Sequence, residues 1–195
     1  FNARNRWRKR GISLIPVKYG SGFNLPALEQ AGALVEIFDN DGTVLVRTGG
    51  IEMGQGLNTK VAQVAAYYLG ITLTLIRVAE LDTSVVPHPT STGASTGSTF
   101  NAEAVRACCE DLYARLREYC RIKGIAYPMD PQRRWDPADP THANANWKKT
   151  VGSAHGDRIN LSSQQRVVIA GGARVESDGL FFHDAPPPDS KPTAK

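Results

Sequence analysis

Residues Ala33–Thr48, "ALVEIFDNDGTVLVRT", limit the fold more than any other stretch of the chain. Leu34, Glu36 and Phe38 alternate with Val35 and Ile37, the two-residue period of a strand. Asn40, Asp41 and Gly42 tolerate positive φ and predict a hairpin turn, with Thr43–Thr48 as the return strand. The chain then enters "TGGIEMGQGLNTKVAQVAAYYLG" (Thr48–Gly70), a glycine-rich stretch followed by an amphipathic helix. Leu57, Val61, Val64, Ala65 and Tyr68 fall on one stripe of that helix, and Gly70 fits its stop.

The same reasoning places the other elements. Leu73–Glu80 predicts a third strand, and a long helix begins near Asn101, with Val105, Cys108, Leu112, Leu116 and Tyr119 facing inward and Gly124 closing it. Upstream, Ile12–Tyr19 predicts a strand interrupted by Pro16, at an edge or a bulge. Downstream, Tyr127–Pro140 predicts a loop, Asn146–Leu161 a short helix, and "QRVVIAG" and "GLFFH" two strands. The last residues, "DAPPPDSKPTAK", predict a disordered tail. Together these elements predict an α+β fold. The Ala33–Arg47 hairpin and the Leu73–Glu80 strand share one mixed sheet, helices pack on it, and residues after about 164 are irregular.

Composition narrows the function classes. The chain has 195 residues and a formal net charge of +4, with its basic residues dispersed. The densest basic run, "RNRWRKR" (Arg4–Arg10), is either a solvated face or a nucleic-acid contact. One tryptophan interleaves it and no nucleic-acid module follows, so the expectation is no nucleic-acid partner. Cys108, Cys109 and Cys120 fall in one helix. Neighbours there point about 100° apart, against a Cys108–Cys109 disulfide. No zinc spacing exists either, and a reducing, cytoplasmic setting is expected. No apolar run is long enough to span a bilayer, so no membrane partner is expected. The first residue is Phe1, which suggests a processed piece or a segment of a longer polypeptide.

Two loops could carry chemistry, each between a strand and a helix. Gly49–Gly56 has the glycines that let a ligand approach the backbone, next to a helix N-terminus whose amides suit an anion. It could equally be a turn that only reverses the chain. The sequence has neither a Walker lysine nor a "GxGxxG" fingerprint here, which argues against an ordinary nucleotide. The second loop, "TSTGASTGST" (Thr90–Thr99), combines hydroxyls and amides that can nest a phosphate without formal charge, or it is a flexible linker. By analogy with other mixed sheets, two such loops suggest one shared anionic ligand beyond the strand ends.

"GGIEMGQGLNTKVAQVAA" resembles the molybdopterin-binding domain of the molybdenum hydroxylases, the xanthine dehydrogenase and aldehyde oxidase family. "NRWRKRGISLIPVKYG", "FNLPALEQAGALVEIFDNDGTVLV", "TSTGAST" and "DRINLS" resemble other segments of the family in the same order. The resemblance covers residues 1–163, the expected partial molybdopterin-binding domain, and residues 164–195 are expected to be a divergent segment and tail. It implies a molybdenum–molybdopterin cofactor, with Gln55 contacting it and Gly93, Ala94, Ser95 and Gly97 holding its phosphate. It also implies that Phe23 stacks on a flat heterocyclic substrate with Asn24 beside it; the alternative reading of Phe23 is a core residue. Asn58, Gly93, Gly97 and Asn24 depart from residues frequent in the family.

The resemblance implies a part of an oxidoreductase that hydroxylates purines, with an aldehyde as the other substrate class and a homodimeric parent. FAD and 2Fe-2S clusters belong to domains that this chain does not match. Neither does it match the region that holds the family's general-base glutamate. Glu52 is expected to orient loop amides rather than to act as that base, no catalytic residue is assigned, and the isolated chain is expected to be inactive. The competing expectations are a non-catalytic truncated paralogue and a small module that binds a phosphorylated metabolite.

Overall fold

The computed structural model describes residues 1–16, 20–125, 145–170 and 173–177. The strands are β1 (Gln30–Ile37), β2 (Val44–Thr48), β3 (Ile76–Val78), β4 (Ser162–Ala170) and β5 (Ala173–Ser177). The helices are α1 (Leu57–Leu69), α2 (Gly97–Lys123) and α3 (Ala145–Gly156), with short 3-10 turns at Pro26–Leu28 and Leu73–Leu75. The strands form one sheet in the order β3-β2-β1-β4-β5. Only β2 and β3 run parallel, so the sheet is mixed and the fold is α+β as expected.

The hairpin forms where its alternation predicts it, with Ala33 opposite Thr48, Val35 opposite Val46 and Ile37 opposite Val44. Ala31, Ala33, Val35, Ile37, Val44 and Val46 are buried. Gly42 takes φ +77° in the turn, and a Cβ there would lie 2.8 Å from Trp147 Cδ1. The close approach lets the buried Trp147 indole donate to the Gly42 carbonyl at 2.8 Å, which ties α3 to the turn. Asp41 accepts from the Thr43 amide and hydroxyl, so its carboxyl lies below the usual range.

α1 and α2 supply the helical side of the core. On α1 the buried residues are Leu57, Val61, Ala65, Ala66 and Leu69. Val64 and Tyr68, expected on that stripe, are only partly buried at its border. On α2 every expected inward residue is buried: Val105, Cys108, Leu112, Leu116 and Tyr119. The helix starts at Gly97, earlier than expected, because the Ser/Thr-rich segment supplies its first turn. All three cysteines are free. The Cys108 thiol donates to the Ala33 carbonyl at 3.3 Å, and burial pushes its pKa up to about 12.

Arg115 joins α2 to the start of β4 by donating to the carbonyls of Asn160 (2.6 Å) and Ser162 (3.0 Å) and pairing with Asp111. Burial pushes the Asp111 carboxyl up, but bonds from Arg115 and Ser163 outweigh it and the net direction is down. At the far end of α2, Tyr119 donates to Asp157 at 2.8 Å, and Lys123 pairs with the same carboxylate at 2.9 Å.

Three expectations fail. Residues 12–16 form no strand, and Ile12, Leu14 and Ile15 are exposed. Consecutive Leu14 and Ile15 break the alternation, and Pro16 has no amide to give a neighbour. The Leu73–Glu80 strand contracts to Ile76–Val78, because Leu73–Leu75 tighten into a 3-10 turn closed by Leu75 N–H to Thr72 O. The expectation of irregular structure beyond about 164 fails, and the strand expected at "QRVVIAG" forms instead: β4 runs through that position, paired with β1 from Glu36↔Ser162 to Gln30↔Val168. The Tyr127–Pro140 loop, the "GLFFH" strand and the tail lie outside the described residues.

Candidate functional site

The first loop folds back on itself. Gly49 and Gly50 serve close packing: a Cβ on Gly49 would sit 2.7 Å from Pro89 Cβ, and one on Gly50 2.5 Å from both Asn101 Nδ2 and Leu57 Cδ2. Gly54 (φ +92°) and Gly56 (φ +78°) instead supply left-handed backbone facing open space. That turn brings the Glu52 carboxylate over the start of α1, where Oε1 accepts from the amides of Gly54 (2.8 Å) and Gly56 (2.9 Å). Oε2 accepts from Asn58 at 2.9 Å.

These bonds, the Asn58 one foremost, hold the Glu52 carboxyl below its ordinary range. Of the donors expected to meet an anionic ligand here, the amides of Gly54 and Gly56 ahead of α1 and of Asn58 within it are therefore taken by the chain's own carboxylate. The orienting role expected of Glu52 is the one the geometry displays. Gln55 is exposed, accepts from the Met53 amide through Oε1 and donates through Nε2 to the Ile51 carbonyl at 2.7 Å. One Nε2 hydrogen is left over from that bond.

The second loop is built differently. Ala94 (φ +51°) and Ser95 (φ +58°) are both left-handed, which is uncommon outside glycine. Gly93 O accepts from the Thr96 amide and hydroxyl, each at 3.1 Å. The Thr96 hydroxyl is thereby turned away from the helix, and α2 has no side-chain N-cap and no acidic residue in its first turn. Among the described residues, its leading amides and the positive end of its dipole are left without an internal carboxylate. Lys60 of α1 adds a cation there, donating to Ser98 Oγ at 3.1 Å.

The two loops and the Phe23 segment meet. Ile51 N–H donates to Thr92 Oγ1 at 3.0 Å, joining the first loop to the second. Gly22 N–H donates to Ala94 O at 2.9 Å. A Cβ on Gly93 would lie 3.9 Å from Phe23 Cζ, so the half-buried Phe23 ring stands over that glycine. Its own amide donates to Glu29 Oε1 at 3.2 Å. Gln55, Gly93, Ala94, Ser95, Gly97 and Phe23 thus lie on three adjoining segments, with Asn24 next to Phe23 and exposed.

Sequence reasoning missed three residues here. Thr92 bridges the loops and Lys60 brings charge, but neither belongs to a pattern. Asn101 is buried, and its Oδ1 has no hydrogen-bond partner among the described residues. It stood four residues before Val105 on the apolar stripe of α2, and a polar residue at such a position was a readable signal.

Residues 1–178 match the family model for the molybdopterin cofactor-binding domain. Xanthine dehydrogenase of Drosophila pseudoobscura pseudoobscura is 41% identical over 163 residues, covering 84% of this chain and 11% of that protein. Xanthine dehydrogenase of Oryza sativa subsp. japonica is 51% identical over 116 residues, 60% of this chain and 8% of that protein. The chain therefore spans only about a tenth of the length of these curated relatives. Among solved structures, the reconstituted CO dehydrogenase from Oligotropha carboxidovorans aligns with a TM-score of 0.52 at 18% identity, over 75% of this chain and 21% of that one. Quinoline 2-oxidoreductase from Pseudomonas putida 86 aligns with a TM-score of 0.52 at 17% identity, over 76% and 22%. At those identities the structural matches speak for the fold.

Proposed function

Because the chain belongs to the molybdopterin cofactor-binding family, we propose that it forms part of the cofactor cradle of a xanthine dehydrogenase-like oxidoreductase that hydroxylates purines. The residues present fit the group. Ala94, Ser95 and Gly97 surround the uncapped start of α2, where amides and hydroxyls can take the phosphate of the pterin. Gly93, without a side chain, lets a ligand approach the backbone beside Phe23. Gln55 keeps an amide hydrogen for a neutral acceptor on the cofactor. When bound, the molybdenum cofactor supplies the redox chemistry that removes electrons from an electron-poor carbon.

This chain's residues bind and orient. The face of Phe23 can stack on a flat heterocycle, which places it without charge, and Asn24 offers a polar edge beside it. Glu52 is committed to the amides of Gly54, Gly56 and Asn58 on either side of Gln55, so it holds Gln55 in place and moves no proton. In this proposal the general base, the FAD and the 2Fe-2S clusters belong to other parts of a longer, homodimeric oxidoreductase.

The observation that carries the proposal is the pair of bonds from Ile51 to Thr92 and from Gly22 to Ala94, which draws the three segments into one region. Metal analysis and pterin fluorescence after acid oxidation test it. In a polypeptide containing this chain and the remaining domains, molybdenum and a fluorescent pterin should co-purify, and replacing Ser95 with a bulky residue should lower both. The 195-residue chain alone should not oxidise hypoxanthine with an acceptor dye. Absence of pterin from the larger polypeptide would leave the phosphate-taking loop without its assigned ligand.

A further inference from the structure

Asn101 breaks the apolar face of α2. It is 6% exposed and lies on the same helix face as the buried Ala104, Val105 and Cys108. Nδ2 donates to the carbonyl of Gly97, the residue that opens the helix, at 2.8 Å. Among the described residues, Oδ1 is the buried side-chain polar atom left without a hydrogen-bond partner. An orphaned buried acceptor is destabilising compared with an apolar group of the same shape. A leucine would fill similar space at that position without the stranded oxygen, so the amide needs another justification.

Its neighbours supply one. A Cβ on Gly50 would fall 2.5 Å from Asn101 Nδ2 and 2.9 Å from Cγ, so the backbone of the first loop rests directly on the Asn101 amide. The next residue, Ile51, is hooked to Thr92 of the second loop. Asn101 therefore touches the first loop on one side and fixes the opening residue of α2 on the other. We propose that Asn101 is a positioning residue that sets the separation between the two loops before any ligand arrives, and that its stranded oxygen lowers stability. The proposal rests on the two loops serving one ligand and extends that reading to a residue beneath it. Loops already fixed in place lose less freedom when a ligand binds, which is the gain that offsets the loss of stability.

The test uses Asn101→Leu and Asn101→Ala in the 195-residue chain, with inorganic phosphate as the probe of the second loop. In Asn101→Leu the Tm should equal or exceed that of the parent. Amide exchange at Ile51 and at Gly97–Thr99 should speed up about tenfold, while Val35 and Val46 in the hairpin stay unchanged. The rise in Tm that phosphate gives the parent should shrink by at least half. Asn101→Ala should have the same exchange pattern at a lower Tm, since it leaves a void.

A Tm that falls by several degrees in Asn101→Leu overturns the proposal. So does exchange at the loops that is unchanged, or that rises in step with the hairpin. Failure of phosphate to raise the Tm of the parent counts against the anion assignment of the second loop, and the exchange pattern then decides the role of Asn101.

Discussion

The two loops are alike in outline and opposite in electrostatics. Each leaves a strand, passes through glycines and enters a helix. In the first, the chain turns back through Gly54 and Gly56 so that Glu52 takes their amides and that of Asn58 at the start of α1. In the second, Ala94 and Ser95 carry the left-handed turn, the Thr96 hydroxyl is turned to Gly93, and α2 begins uncapped. Glycine content alone does not make an anion site. What decides is whether a carboxylate of the chain already stands on the helix N-terminus.

The contrast can be broken at several points. The largest effect is expected at Gly50→Ala. Its Cβ would overlap Asn101 and Leu57, and overpacking of this kind costs about 1–3 kcal/mol. Denaturant unfolding should register that loss, and exchange at Ile51 should register the parting of the loops. Next is Gly54→Ala, where the space is open but φ is +92°. A loss of about 1–2 kcal/mol is expected from the left-handed backbone alone. A loss at Gly54→Ala larger than that at Gly50→Ala would remove the distinction between close packing and turn geometry.

A third test addresses charge. The folded pKa of Glu52 is lowered, so its contribution is fully present above the unfolded value and is lost as pH falls through the folded one. Glu52→Gln should be less stable than the parent at neutral pH. The difference should close as pH drops below the ordinary carboxylate range, followed by Tm against pH. A gap that stays constant to low pH would mean that the carboxylate charge does not hold the loop. The smallest effect is expected at Ser95→Gly. Relief of φ +58° and the added chain entropy of glycine nearly cancel, leaving a change of about a few tenths of a kcal/mol. Phosphate protection should weaken more than Tm, because the hydroxyl is gone.

Much of this arrangement was legible beforehand, for local reasons. The β1–β2 hairpin follows from alternation and from Asn40–Gly42, and the inward face of α2 from its threes and fours. The glycine loop and the Ser/Thr loop were recognisable as candidate ligand loops by their residue types. What could not be read depends on contacts between distant residues. The pairing of β4 with β1 joins Ser162–Val168 to Gln30–Glu36, and nothing local in "QQRVVIAG" specifies its partner. Whether Glu52 or a ligand meets the α1 amides depends on how two left-handed glycines aim the chain. The role of Asn101 depends on a glycine fifty-one positions away in sequence.

The three thiols on α2 give the fold a built-in clock. Cys108 and Cys109 are wholly enclosed, Cys120 nearly so, and burial raises the pKa of each. An alkylating reagent needs both access and a thiolate, and the closed core around α2 withholds both. Modification should therefore proceed only as fast as α2 lifts from the core, so that oxidants and electrophiles mark chains that have come apart and pass over those that have not.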